Sequence, residues 1–162
     1  MPKGILIPAQ PDRQIELVDL VEEADPQMLV GGYVEVLSIT EPLASLFINE
    51  EGRLKDLPFN PRATYLTMVH NPSLMFRGIM ILGAALLTGP PDKAGDIQDV
   101  PQELVELLIN TKRFKYVVQT ADDPHAWNGN QRRYDDLLSA YEGAIDLAHR
   151  WFAVERVKVV PA

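Results

Sequence analysis

The chain has 162 residues, no cysteine and 15 basic against 23 acidic side chains, a net charge of −8. That length suits one domain, and the absence of cysteine excludes disulfides, thiol nucleophiles and Cys-ligated zinc or iron–sulfur sites. The acid is spread evenly, with 6 basic and 11 acidic residues before position 90 and 9 and 12 after it. A direct nucleic-acid binder would show a basic stripe, so none is expected.

The opening "MPKGILIPAQPD" holds an apolar run too short for a signal peptide, and the longest apolar run, "IMILGAALL", is nine residues. A membrane span needs about twenty, so a soluble cytoplasmic protein is expected.

"GILIPA" (4–9) reads as a strand ended by proline, and "QIELVDL" (14–20) alternates like a half-buried strand. "ADPQMLVGG" (24–32) reads as a short helix, with Asp25 as cap, Pro26 in the first turn and Gly31 closing it. "YVEVLSI" (33–39) follows as a strand with Val34, Val36 and Ser38 on one face and Tyr33, Glu35 and Leu37 on the other. "ASLFINEEGRLK" (44–55) reads as a hairpin turning at Asn49–Gly52. "LPFNPRATYLTMVH" (57–70) carries a helix start with Asn60 as cap and Pro61 in the first turn. "GIMILGAALLTG" (78–89) predicts a strand with a bulge at its central glycine.

"GPPDKAGDIQD" (89–99) is the one linker-like stretch, which divides the chain into residues 1–89 and an extension, 90–162, packed on the same core. Asp99 and Pro101 open a helix over "QELVELLINT", and "FKYVVQTA" (114–121) is a strand. "DDPHAWNGN" (122–130) reads as a loop before the longest helix, roughly 131–153. The apolar stripe of that helix runs from Tyr134 through Tyr141 and Ile145 to Trp151 and Phe152. "RVKVVPA" ends the chain as a strand. The irregular alternation predicts an α+β fold: a mixed, mainly antiparallel sheet packed by three helices, the longest near the C-terminus.

"GGYVEVLSI", "FINEEGRLKDLPFNPRAT" and "GIMILGAALLTG", in that order, resemble a family of small uncharacterised proteins common in bacteriophages and mobile elements, especially those of actinobacteria and other Gram-positive hosts. The resemblance covers about residues 3–89. It implies an origin but no activity.

Three constellations carry chemistry. Glu35, with Tyr33 on its face, is either a half-buried acid aimed into a pocket or the solvent face of a one-sided sheet. The helix start at Asn60, with Arg62 and Thr64, is either an anion site or an ordinary cap contributing about 1 kcal/mol. In the 122–130 stretch, Asp122, Asp123 and His125 offer a divalent-metal set or an acid–base pair, though no helical spacing supports the metal, while Trp127, flanked by His125 and Asn128, is either a lid on the core or a partner anchor. His70 and His149 read as cations at helix ends.

No nucleophile elbow, phosphate loop, metal set or cofactor motif is present in the sequence. The expectation is a non-enzymatic phage or mobile-element accessory protein that binds a host protein or a small anionic ligand in the bacterial cytoplasm. Two alternatives stay open. One is a small-metabolite enzyme with Glu35 as base and Arg62 holding an anion. The other is an assembly protein forming a homo-oligomer through the terminal strand "RVKVVPA" or "GILIPA".

Overall fold

A computed structural model describes residues 1–22 and 25–162. The fold is α+β. Among the described residues there are two sheets instead of one mixed sheet, each wholly antiparallel, and four α-helices in place of three. The first sheet orders its strands β2-β1-β5-β4-β3, from β1 (Lys3–Ile7), β2 (Glu16–Asp19), β3 (Val34–Thr40), β4 (Leu43–Asn49) and β5 (Ala85–Thr88). The second orders them β7-β6-β8, from β6 (Phe114–Thr120), β7 (Asp123–Gly129) and β8 (Val154–Pro161). The helices are α1 (Asp25–Val30), α2 (Pro61–His70), α3 (Gln102–Val105), continued by a π-helical turn over Glu106–Asn110, and α4 (Leu137–Arg150).

Helix α2 lies between the first sheet and α4 and is buried at eight of its ten positions. Helix α4 is buried on one face, through Leu137, Ala140, Tyr141, Ala144, Ile145 and Ala148, as its three- and four-residue apolar spacing dictates. One apolar core joins Ile5, Ile39 and Leu46 of the first sheet to Leu66 of α2, Leu104 of α3, Tyr141 of α4 and Val157 of β8. A smaller cluster of Leu20, Val30 and Leu86, with Phe47 and Val34 against it, covers the opposite face of the first sheet.

Several sequence expectations need correction. The hairpin is β3–β4, turning at Glu41–Pro42, whose peptide bond is cis. The Asn49–Gly52 turn leads into irregular chain instead of a returning strand. The strand expected over 78–89 is confined to β5, because Gly83 takes a positive φ of 81° and Asn60 and Pro58 bind the preceding backbone. Asp25 does not cap α1 forward; its carboxylate accepts from the Val21 and Glu22 amides behind it. Ala24, first residue of that predicted stretch, lies outside the described residues.

Asp99 does not cap α3 either, since its carboxylate accepts from the Lys3 amide at 2.8 Å and ties the 89–99 loop to β1. The stretch 122–130 is strand β7 and not a loop. Helix α4 begins at Leu137, capped by Asp136, and stops at Arg150, so Trp151 and Phe152 leave the stripe and are exposed. Strand β1 is interior, flanked by β2 and β5, and offers no edge for assembly.

The Asn60 side chain holds the middle of the fold together. Its Oδ1 accepts from the Ala63 amide at 3.0 Å, and its Nδ2 donates to the Ile7 and Gly83 carbonyls, both at 2.9 Å. Asn60→Ala removes the cap and strands two buried carbonyls, so stability should fall by about 2–4 kcal/mol. Thermal unfolding should show this as a fall in Tm of roughly 5–15 °C. Glu35→Gln, on the exposed strand β3, should change stability by less than about 0.5 kcal/mol in the same assay.

Candidate functional site

The first two groups of sequence candidates stand apart. Tyr33 and Glu35 are exposed. Glu35 lies opposite Ile48 on the same face as Leu37 and Ile39, but at the open rim of that face, beside Leu54 and Met80. Asn60, Arg62 and Thr64 are buried and engaged with the protein itself. Thr64 Oγ1 accepts from the Ile81 amide at 3.0 Å, and Arg62 Nη2 donates to the Pro8 and Gln10 carbonyls, each at 3.0 Å, while Arg62 Nε is buried without a partner among the described residues. Burial lowers the Arg62 pKa, against the opposing pull of Asp136 and Asp12. Glu35 lies beside Ile48 and Met80 while Arg62 is turned to the Pro8 and Gln10 carbonyls, so the two have different surroundings.

The 122–130 candidates divide across β7. Trp127 is half-buried and lines one cavity. Asn128 lines another on the opposite face, with Trp151 and Asp123. His125 is exposed. Asp122 is fully exposed, its carboxyl pKa lowered first by the Thr120 hydroxyl. Among the described residues no three His, Asp or Glu side chains converge as a metal set would require.

Trp127 lines a cavity of about 450 Å³. Its walls come from four places: the β3–β4 turn (Glu41), the end of α2 (His70), α3 and its π turn (Glu103, Glu106), and β8 (Arg156, Lys158). Side chains on β8 alternate, so Arg156 and Lys158 leave the same face while Val157 and Val159 enter the core. Both cations stand over the Trp127 ring, with Arg156 Cζ 5.4 Å and Lys158 Nζ 5.3 Å from its centroid. Arg156 Nη2 is also ion-paired with Glu41. Its Nε is buried and has no hydrogen-bond partner among the described residues. The rest of the guanidinium is partly exposed, so its outer edge can meet an incoming oxygen.

At the floor, His70 is not the helix-end cation its position suggests. It is buried, and burial lowers its pKa, outweighing the backbone hydrogen bond and nearby carboxylates that act the other way. The Glu41 carbonyl lies 2.7 Å from Nδ1 and can only accept, so Nδ1 carries the proton. Nε2 therefore accepts from the Tyr141 hydroxyl at 2.6 Å. Burial raises the Tyr141 pKa, which keeps that hydroxyl a donor. His149, by contrast, contacts the Met75 carbonyl through Nε2 at 3.1 Å and lies beside Phe76.

Sequence reading missed Glu41, His70, Arg156 and Lys158 as a group. Period-two alternation in "RVKVV" was a signal that the two cations share a face; nothing local pointed to Glu41 or His70 as their neighbours.

Because the folded pKa of His70 is lowered, the unfolded chain takes up that proton first as pH falls through about 6.5. The stabilising effect of neutral His70 is complete above that value and is lost below it, down to the folded pKa. Denaturant unfolding should therefore show stability falling from about pH 7.5 to pH 5, and His70→Gln should flatten that slope. An unchanged slope in the variant would show that other groups set the acid sensitivity.

Among the described residues no helix is long and apolar enough to cross a membrane. No curated protein and no solved structure matches the chain. Residues 3–114, well over half of it and extending past Gly89 to the start of β6, match a family model described as a domain of unknown function (DUF3846), and the chain belongs to that family.

Proposed function

We propose that the protein is a non-enzymatic binding protein whose cleft between α3, the α2 terminus and β8 takes a small anionic ligand. The observation that carries this reading is Arg156: a partly exposed guanidinium fixed by Glu41 and Trp127, with Lys158 beside it. An anion at the exposed edge of that guanidinium gains a charge-assisted hydrogen bond, and Lys158 adds a second positive charge. The Trp127 ring holds the two cations beside each other. The neighbouring carboxylates Glu103 and Glu106 limit the site to small anions of modest charge, since a dense polyanion meets their repulsion. The setting that fits is an accessory protein of a phage or mobile element in the bacterial cytoplasm, and the resemblance to proteins of such elements supports it.

The test uses tryptophan emission in a Trp151→Phe background, which leaves Trp127 as the only indole. Titration with phosphate, pyrophosphate or benzoate should give saturable changes for at least one of them. Arg156→Gln and Lys158→Gln should each weaken that binding by about tenfold or more, in line with charge-assisted hydrogen bonds. Saturable binding untouched by either substitution, or no response to any of the three anions, overturns the reading.

A further inference from the structure

Four strands lie at the sheet edges, and three are blunted in familiar ways. Strand β2 is four residues long. Strand β7 contains Pro124, which has no amide proton, and its pairing with β6 is irregular between Val118 and Thr120. Strand β8 ends at Pro161, and its pairing with β6 is irregular between Gln119 and Thr120.

Strand β3 has none of these devices. It runs seven residues, Val34–Thr40, in unbroken register with β4, and contains neither proline nor glycine. The Glu50 amide donates to the Tyr33 carbonyl at 2.9 Å, which makes Tyr33 and Glu50 a hydrogen-bonded pair. Alternation then turns the amides and carbonyls of Glu35, Leu37 and Ile39 toward β4, and those of Val34, Val36 and Ser38 outward. Asn71 Nδ2 takes the outward Ser38 carbonyl at 2.8 Å, in agreement with that phase. The outward groups of Val34 and Val36 have no partner among the described residues, and Val36 is 50% exposed.

We propose that the β3 edge is a docking site for an extended segment of another protein, which adds to the first sheet as a sixth strand and carries a basic residue opposite Glu35. This surface is separate from the anion cleft. Charge selects the occupant. Glu35 lines a small depression with Glu50 and Glu51, against one cation, Arg53, and the chain carries a net −8. A lysine or arginine across from Glu35 gains a cross-strand ion pair, and a β-branched residue across from Val36 covers its exposed side chain. A second copy fits less well. Antiparallel self-pairing sets Glu35 against Glu35, Leu37 or Ile39, with no counter-charge in any of these registers, and joins two chains of like net charge.

The experiment measures fluorescence anisotropy of two labelled heptapeptides at low salt, one Thr-Val-Lys-Val-Lys-Val-Thr and the other with glutamate in place of both lysines. The lysine peptide should bind and the glutamate peptide should not, and added salt should weaken the complex. Glu35→Lys should reverse the preference by at least about tenfold. Val36→Pro removes an outward amide that β4 does not use, so it should abolish binding while Tm stays within a few degrees. Should that variant unfold, a lysine peptide N-methylated on alternate amides tests the same backbone pairing against the wild-type chain.

Arg156→Gln should leave peptide binding unchanged, which separates this surface from the anion cleft. Equal binding of both peptides, or binding insensitive to Val36→Pro and to N-methylation, overturns the proposal. So does concentration-dependent self-association abolished by Val36→Pro, which would make a second copy the occupant.

Discussion

The fold depends on one buried amide. Asn60 is wholly inaccessible, and its side chain ends a helix, a strand and a turn at once by capping α2, binding the last carbonyl of β1 and holding the Gly83 turn. A buried helix start leaves amides that water cannot reach, so the cap is needed there more than at a surface helix. Its backbone amide also donates to Ile81, whose own amide is taken by Thr64 one turn into the helix. Arg62 completes the arrangement by holding the chain after β1 through two carbonyls. The polar residues that looked like an anion site are thus what fixes α2 against the first sheet.

Once its start is fixed, the ten-residue length of α2 determines where His70 arrives. That point is the junction of the β3–β4 turn, α4 and β8. The ring reads two partners of opposite character, a carbonyl that must accept and a hydroxyl that donates, so its neutral tautomer is specified by geometry. The Glu41 residue serves this junction twice: its carbonyl holds His70 and its carboxylate holds Arg156. Position of the cleft cation therefore traces back, through α2, to the cap at Asn60.

Much of this was legible locally and the rest was not, for identifiable reasons. The Asn60–Pro61 start was readable because a cap followed by proline is a short-range signal. Strand β6 was readable because its apolar residues alternate, and its burial alternates in step. Strand β7 was misread because Asp-Asp-Pro and Asn-Gly-Asn are turn punctuation by composition; pairing with β6 overrides that preference. Trp151 and Phe152 continued the helical period on paper, yet the backbone turns extended at Trp151 and leaves both exposed. Glu35 followed its predicted alternation, but alternation names a face and not how far the core extends along it. The His70–Tyr141 contact spans 71 positions, and no pattern in a window of a dozen residues can register it.

The family match ends at residue 114, and that boundary passes through the cleft. Glu41, His70, Glu103 and Leu104 lie within the matched stretch, while Trp127, Arg156 and Lys158 lie beyond it. The matched part alone presents carboxylates and a neutral imidazole, a wall with no positive charge to offer an anion. The second sheet brings both cations, and it presents them in usable form because β8 projects every other residue outward and Trp127 on β7 gives those two side chains a common surface. Glu41 then links the halves, spending its charge on Arg156 and leaving the guanidinium's Nε unpaired. The matched stretch supplies the floor and the acidic wall, and the residues after it supply both cations of the cleft.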